Sequence, residues 1–168
     1  NPKGEVVWTW YAKDHFDKAP YKDIYDEGWA HTNAVTRLTN GNTLISLRNF
    51  DFVVEVDPQG SVIRTIGEGI FNNQHDTEIL ANGNMLLANH DTPHQAVEFD
   101  LKTGKVVWKS RPFELEAIPV RDANRLPNGN TLITGSTEII EVTPQNEIVW
   151  RLKLQGVSLQ NLADGFYK

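Results

Sequence analysis

The chain contains no cysteine among its 168 residues. Disulfide bonds, zinc–thiolate sites and a cysteine nucleophile are therefore excluded, although the absence of disulfides does not fix a compartment. No apolar run approaches the roughly 20 residues needed to cross a bilayer, so we expect no membrane span. The net charge of -6 also lacks the basic excess that nucleic acids and anionic membrane surfaces attract.

The chain begins Asn1-Pro2-Lys3-Gly4, without an initiator methionine or the apolar segment of a signal peptide. We therefore expect that a precursor segment has been removed, or that the chain is part of a longer protein. We favour an extracytoplasmic location: secreted, periplasmic or at a cell surface. A hydrophobic content of 39% is enough for a core, and the length suits a single domain over 1–168.

What the sequence does contain is one pattern written three times. An apolar residue, an Asn-Gly-Asn turn and an apolar run occur in Leu38–Ile45, Leu80–Leu87 and Leu126–Ile133. The central glycines of the three copies are 42 and then 46 residues apart. Repeats of this length, made of short strands and tight turns, are typical of β-propeller blades.

Each repeat predicts four antiparallel strands. The Asn-Gly dipeptide predicts a type I′ hairpin, and a β-branched third strand, a turn and a fourth strand follow. The predicted blades are about 30–67, 74–110 and 118–154, with a tail at 155–168. Their inner strands are predicted to begin at Asn33, Asp76 and Asp122. Glu5–Trp8 resembles the fourth strands and predicts an orphan strand before the first blade.

The predicted fold is an all-β propeller, but closed propellers have about four to eight blades. Three explanations for three blades stay open. The chain is a fragment of a longer propeller with six blades, which we favour. Alternatively, two copies of the chain close one six-bladed ring, or the tail and the orphan strand form a reduced fourth blade.

In an up-and-down blade, the links between blades and the loops between strands 2 and 3 lie at the same end of the sheets, here named the link face. The Asn-Gly-Asn turns lie at the other end, the turn face. All five histidines are predicted at the link face or its lip: His15, His31, His75, His90 and His94. Histidine titrates near neutrality and serves as acid, base, nucleophile or ligand, so this clustering predicts a site there.

Four segments, in order, resemble the arylsulfotransferase family of β-propellers over roughly Glu5 to Leu152. They are Trp29-Ala30-His31-Thr32-Asn33-Ala34-Val35, Asn40–Arg48, Gln74-His75-Asp76 and Ala96-Val97-Glu98-Phe99-Asp100. The family's bacterial enzymes move a sulfuryl group from a phenolic sulfate to a phenol through a covalent histidine intermediate. The resemblance implies an aryl sulfate or phenol as the small-molecule partner, and neither a metal nor a cofactor.

By position, the resemblance assigns catalytic roles to residues that match or replace family cations: His31, His75, Arg48 and Arg121. Substrate contacts are predicted for Asn33, Asn49, Asp76, His90 and His94. Two family positions differ here. The arginine before the third strand is replaced by Gln95, and the family's nucleophilic histidine lies later than any histidine of this chain.

Several alternatives stay open for these residues. Arg48 can pair with Asp51, and Asp76 can either orient the imidazole of His75 or bond to the backbone. The loop from His90 to His94 can bind zinc, but a solvated turn is favoured. The alternative function is a non-catalytic extracytoplasmic propeller for binding or assembly, with a homo-oligomer or further blades completing the ring.

Overall fold

The computed structural model describes residues 1–24, 28–91, 93–112 and 119–154; the predicted tail at 155–168 lies outside them. Twelve strands form three four-stranded antiparallel sheets, each with its strands in chain order. The all-β fold class and the three four-stranded repeats are therefore confirmed. Three short 3₁₀ turns complete the described secondary structure, at Ala12–Asp14, Tyr21–Asp23 and Arg48–Phe50. No helix in the described ranges is long and apolar enough to cross a membrane.

The strands are numbered from the inner to the outer edge of each blade. Blade 1 contains β1 (Thr32–Arg37), β2 (Thr43–Leu47), β3 (Phe52–Val56) and β4 (Val62–Ile66). Blade 2 contains β5 (His75–Ile79), β6 (Met85–Asn89), β7 (Gln95–Asp100) and β8 (Lys105–Lys109). Blade 3 contains β9 (Val120–Arg125), β10 (Thr131–Gly135), β11 (Glu138–Val142) and β12 (Ile148–Lys153).

The core lies between the blades, because the central strands β2, β3, β6 and β7 are buried on both faces. The layer between blades 1 and 2 includes Leu44, Val53, Met85, Leu87 and Phe99. The layer between blades 2 and 3 includes Leu86, Ala96, Ile133, Ile140 and Val142. The inner strands of neighbouring blades contact each other, so the three repeats are adjacent wedges with their link faces at one end.

The Asn-Gly-Asn turns differ from the predicted type I′ geometry. Gly41 has a φ of 90°, but Asn40 before it is not in the left-handed region. The Gly41 N–H donates to Leu38 O at 3.0 Å, and the Leu38 N–H donates to Asn42 O at 2.8 Å. This is a three-residue loop that ends in a left-handed glycine. The prediction of type I′ was wrong because one residue with positive φ is enough when the loop has a third residue.

The asparagines of these turns hold a glutamate of the third strand, an arrangement we name the carboxylate clamp. Glu98 accepts hydrogen bonds from Asn82 at 3.0 Å and from Asn84 at 2.7 Å. Burial raises the pKa of Glu98, but bonds from Asn84, Asn82 and Arg125 together lower it below its usual value. The clamp recurs at Glu55, held by Asn42, and at Glu141, held by Asn128 and Asn130.

The glutamates of the second and third clamps differ in burial, which gives a matched pair of substitutions. Glu98 is 8% exposed and pairs with Arg125 at 2.8 Å, so Glu98→Gln leaves a part-buried guanidinium without its counter-charge. We expect that variant to lose about 2 kcal/mol of unfolding free energy. Glu141→Gln is expected to shift the urea midpoint less, because the Glu141 clamp is solvated. Equal midpoint shifts for the two variants would contradict this account of the clamp.

Two predictions about strands were wrong. Glu5–Trp8 pairs with no strand in the described part of the chain, and Val6 and Val7 are 79% and 74% exposed. The segment has the side chains of a fourth strand but no third strand beside it to supply a hydrogen-bond ladder. The inner strands also begin earlier than predicted, at Thr32, His75 and Val120, because each ladder continues past a β-bulge.

Candidate functional site

The link-face ends of the inner strands are shaped by these bulges. In β1 the ladder passes from Thr32 to Ala34, and in β5 it passes from His75 to Thr77. The residues skipped in β1, β5 and β9 are Asn33, Asp76 and Arg121. A bulge re-aims the side chains next to it and is common beside functional sites. His75 and Arg121 therefore lie within strands, rather than before them as predicted.

Two of the predicted residues form a stacked pair of imidazoles. The rings of His75 and His90 have centroids 4.7 Å apart and an interplanar angle of 23°. His75 Nδ1 lies 3.0 Å from the carbonyl oxygen of Asn73. A carbonyl can only accept, so Nδ1 carries the proton of the neutral ring and Nε2 carries the lone pair. The fold thus fixes one tautomer of His75.

Both rings of the pair are neutral at pH 7. Burial lowers the pKa of His75 to about 4; the Asn73 carbonyl opposes this, and the charges of Arg121, Arg48 and His31 lower it further. Burial, with Arg121, His75 and Arg48, also lowers the pKa of His90 to about 4, against the opposing charge of Asp91. The structure thus brings together five predicted residues, here named the His–Arg cluster: His31, Arg48, His75, His90 and Arg121.

The carbonyl that fixes His75 is itself anchored from two blades. The Asn73 N–H donates to Asp51 Oδ1 at 2.6 Å, and Asn73 Nδ2 donates to Asp91 Oδ2 at 2.5 Å. Asp51 lies in the loop after β2 and Asp91 in the loop after β6. Sequence reasoning missed this role of Asn73, because a backbone carbonyl carries no mark in the residue types. The only local signal is the Asn72-Asn73 pair before β5, which is typical of a turn.

The backbone around the cluster is unusual at several residues. Six non-glycine residues of the link face have φ between 44° and 60°: Trp29, His31, Asp51, Asn73, Asp76 and His94. Such left-handed conformations cost side-chain-bearing residues roughly 1–3 kcal/mol and concentrate where function constrains the backbone. Their grouping at one end of the blades supports the assignment of the site to the link face.

Asp76 bonds to the backbone, which is the second of its two predicted roles, and does not orient the imidazole of His75. Its carboxyl bonds to Asp122 on the neighbouring inner strand and accepts the N–H of Ala123. Burial raises the pKa of Asp76, the bond to Asp122 and the charge of Asp122 raise it further, and the bond from Ala123 opposes them. Asp76 therefore links β5 to β9 through a carboxyl whose pKa is raised to about 7. The imidazole of His75 is oriented by the Asn73 carbonyl instead.

Other predicted residues border the cluster. Asn33 Nδ2 donates to Gln74 O at 2.9 Å, which ties blade 1 to blade 2, and Asn49 Nδ2 donates to Trp29 O at 2.8 Å. His94 Nδ1 bonds to the carbonyl oxygen of His90. Their contacts with substrate stay predictions. In the described ranges, no three His, Asp or Glu side chains converge to hold a metal ion.

One histidine lies away from the cluster, so the placement of all five at the link face was wrong. The ring of His15 stacks on Trp10 with centroids 5.0 Å apart. Trp10 Nε1 donates to Gly60 O at 3.1 Å, in the turn between β3 and β4 at the turn face. Apolar packing of the long first link thus decides where His15 lies. Gln95, at the family's arginine position, donates to Ser110 O at 2.6 Å.

The neutral pair predicts a specific pH dependence of stability. Between about pH 6.5 and 4 the unfolded chain protonates both histidines, whereas the folded chain does not, so their contribution falls as the pH falls. Asp76 contributes in the opposite direction, because its raised pKa favours the folded state at low pH. Asp76 is present in both wild type and His90→Gln, so its contribution cancels when the two proteins are compared. For His90→Gln we expect the slope of unfolding free energy against pH to be shallower by up to about 1.4 kcal/mol per pH unit. Equal slopes in urea titrations would contradict the neutral pair.

The family model Arylsulfotransferase (ASST) matches residues 1–155. No curated protein is significantly similar in sequence.

Solved structures share the fold at low identity. A protein of unknown function from Bacteroides caccae is 20% identical with a TM-score of 0.57, covering 73% of this chain and 49% of that one. Virginiamycin B lyase from Staphylococcus aureus is 10% identical with a TM-score of 0.58, covering 79% and 44%. The WD40 β-propeller domain of Doa1 is 17% identical with a TM-score of 0.59, covering 75% and 40%. These likenesses show a propeller fold, and the chain spans about half or less of each of these structures.

Proposed function

The chain belongs to the arylsulfotransferase (ASST) family, and on that premise we propose that its link face binds an aryl sulfate and transfers the sulfuryl group to a phenol. The observation that carries the proposal is the fixed tautomer of His75. Its Nε2 lone pair lies in a ring that is neutral at pH 7, beside a second neutral ring and within reach of two guanidinium charges.

The charges of the cluster suit this substrate class. An aryl sulfate is a monoanion, and sulfuryl transfer spreads charge over three equatorial oxygens, much as phosphoryl transfer does. Arg48 and Arg121 contribute guanidinium N–H donors whose geometry suits such oxygens. His75 and His90 are both deprotonated at neutral pH, so the Nε2 lone pair of His75 is available to attack sulfur. A preorganised cationic site of this kind stabilises developing charge.

The proposed reaction has two steps. His75 Nε2 attacks sulfur, the bond from sulfur to the aryl oxygen breaks, and its electron pair leaves on the phenolate. The imidazolium keeps its Nδ1 proton, which the Asn73 carbonyl holds. The acceptor phenol oxygen then attacks the same sulfur, the N–S bond returns its pair to Nε2, and the acceptor's proton passes through solvent to the departed phenolate. No net proton or electron is consumed.

The test is incubation of the purified chain with 4-nitrophenyl sulfate, with and without phenol. Acceptor-dependent release of nitrophenol, with phenyl sulfate as the second product, is the expected result. Intact-mass analysis without acceptor should show a fraction of the chain heavier by one SO₃ group. Absence of turnover, together with no binding of 4-nitrophenyl sulfate by calorimetry, would refute the proposal.

A non-catalytic role in binding or assembly is the second candidate. It is supported by the hydrogen bonds that Asn33 and Asn49 donate to backbone carbonyls. These bonds give both side-chain amides a structural role at the link face. It is also supported by Gln95, which replaces a family arginine. Saturable binding of the aryl sulfate without any turnover or sulfated intermediate would favour this candidate.

A further inference from the structure

At each junction between two blades, an arginine bonds to the glutamate of a carboxylate clamp. At the junction of blades 2 and 3, Arg125 Nη2 bonds to Glu98 Oε2 at 2.8 Å. The same guanidinium lies over the ring of Trp108, 5.4 Å from the centroid. Arg125 is the last residue of the inner strand β9, and Trp108 lies opposite Glu98 in the outer strand β8. The clamped glutamate and the tryptophan of one blade thus hold an arginine of the next.

At the junction of blades 1 and 2 the clamped glutamate also binds an arginine, but this arginine belongs to the same blade as the glutamate. Arg64 lies opposite Glu55 in β4, the position that Trp108 has in blade 2. Its Nε bonds to Glu55 at 2.8 Å and its Nη1 to Leu101 O of blade 2 at 2.8 Å. The last residue of β5 is then Ile79, which carries no charge. Each junction therefore supplies one arginine to one clamped glutamate.

The tryptophan–arginine pair also occurs at the other side of blade 1. The guanidinium of Arg37, the last residue of β1, lies over the ring of Trp8, 5.6 Å from the centroid. Trp8 therefore contacts an arginine of blade 1 in the way that Trp108 contacts an arginine of blade 3, although Glu5–Trp8 is not a strand. A tryptophan at this position is paired in both cases with an arginine that ends an inner strand.

Blade 3 presents the corresponding surface, which we name the blade-3 face: Leu132, Ile139, Glu141, Trp150 and Leu152. Within the described ranges no arginine bonds to its glutamate. Glu141 is held by its two asparagines, and Trp150 lies opposite it in β12. Trp150 and Leu152 are 48% and 44% exposed. In blade 2 the equivalent surface is covered by blade 3.

We propose that the blade-3 face is a docking surface for a further four-stranded β-sheet whose innermost strand ends in arginine. That arginine bonds to Glu141 and stacks on Trp150. The carboxylate supplies charge complementarity, the ring supplies a cation–π surface, and the internal junction at Glu98 supplies the geometry. Because Trp150 and not arginine lies opposite Glu141, the cation comes from the docking sheet, as at Trp108.

A second copy of this chain does not fit as the occupant. Its own Arg37 ends an inner strand, but the side of blade 1 that would dock is covered by aromatic side chains. Phe16 and Tyr21 pack on Phe52 with ring centroids 5.5 and 5.6 Å apart, and Trp8 and Trp10 join the same cluster. Docking of a second copy would have to expel these rings from blade 1.

The probe for this surface is a synthetic peptide with the sequence of residues 120–135, which includes the arginine that serves Glu98. It is added to the ¹⁵N-labelled full chain, and the indole N–H signal of Trp150 is followed by NMR. We expect a saturable shift of this signal. Changing Arg125 of the peptide to glutamine while keeping its Arg121, or Glu141→Gln in the chain, should weaken binding at least tenfold, because each removes a charge-assisted bond.

Glu147→Gln is the matched control, since it removes one exposed carboxylate of the same blade outside the face; its affinity should equal that of wild type. No shift of Trp150 at millimolar peptide, or equal binding of the arginine and glutamine peptides, would overturn the proposal. Sedimentation equilibrium gives the remaining outcome. A dimer of the chain that Trp150→Ala dissociates would make a second copy the occupant and would overturn the assignment to a separate sheet.

Discussion

His75→Ala is expected to abolish sulfuryl transfer, lowering kcat/KM at least a thousandfold. The physical reason is that the Nε2 lone pair of His75 is the proposed sulfuryl acceptor, and no other group can take over both its position and its tautomer. The mass of the sulfated intermediate should disappear together with turnover. The measurements are initial rates with 4-nitrophenyl sulfate and phenol, and intact mass without acceptor.

His15→Ala is the matched control, because it makes the same substitution at a histidine that stacks on Trp10, away from the cluster. Its kcat/KM should stay within about twofold of wild type. The urea midpoint of His75→Ala shows whether that variant is folded at the assay temperature. A folded His75→Ala variant that retains turnover would contradict the assignment of His75 as nucleophile, while leaving the link face as the binding site.

Gly67→Ala is expected to be the most destabilising small substitution in the link between blades 1 and 2. Gly67 has a φ of 84°, and an added Cβ would lie 2.0 Å from Cε2 of Phe71. Phe71 is buried between the blades, where its ring meets Phe99 edge-on with centroids 5.3 Å apart. The left-handed conformation and the displaced ring together are expected to cost about 4 kcal/mol of unfolding free energy.

Gly69→Ala separates the two causes. Gly69 also has positive φ, at 73°, but no atom lies within 4 Å of its added Cβ. We therefore expect it to lose only the conformational part, about 1 kcal/mol. Both losses of unfolding free energy are measured by urea denaturation, provided that the slope m of free energy against urea is the same in the variants and wild type. Losses of the same size in both variants would show that backbone strain, and not the packing of Phe71, dominates this link.

The histidines show where sequence reasoning about the site succeeded and where it failed. His31, His75 and His90 were placed correctly at the link face, because strand order decides which end of a blade a loop occupies. His15 was misplaced, because it lies in a long link whose course depends on packing against blade 1. A loop's topology is readable from sequence, whereas its path over an apolar surface is a tertiary property.

The N-terminal segment gives the same lesson for the fold. Glu5–Trp8 carries the residues of a fourth strand, and Trp8 does occupy that place against Arg37. The strand itself does not form, because a ladder needs a neighbouring backbone as well as a suitable sequence. The side-chain contacts of a repeat can therefore be retained where its secondary structure is absent.

By itself the sequence determined the four-stranded repeats, the positions of their turns and the end of the blades at which four of the five histidines lie, because alternation and turn residues act over a few positions. Only the tertiary structure decided the chemistry of those histidines. The tautomer of His75 depends on a carbonyl that Asp51 and Asp91 anchor from two blades. The pKa values near 4 depend on burial and on arginines far apart in the chain. Protonation follows from the desolvation and charge that surround a ring in space, and neither is a property of its neighbours in sequence.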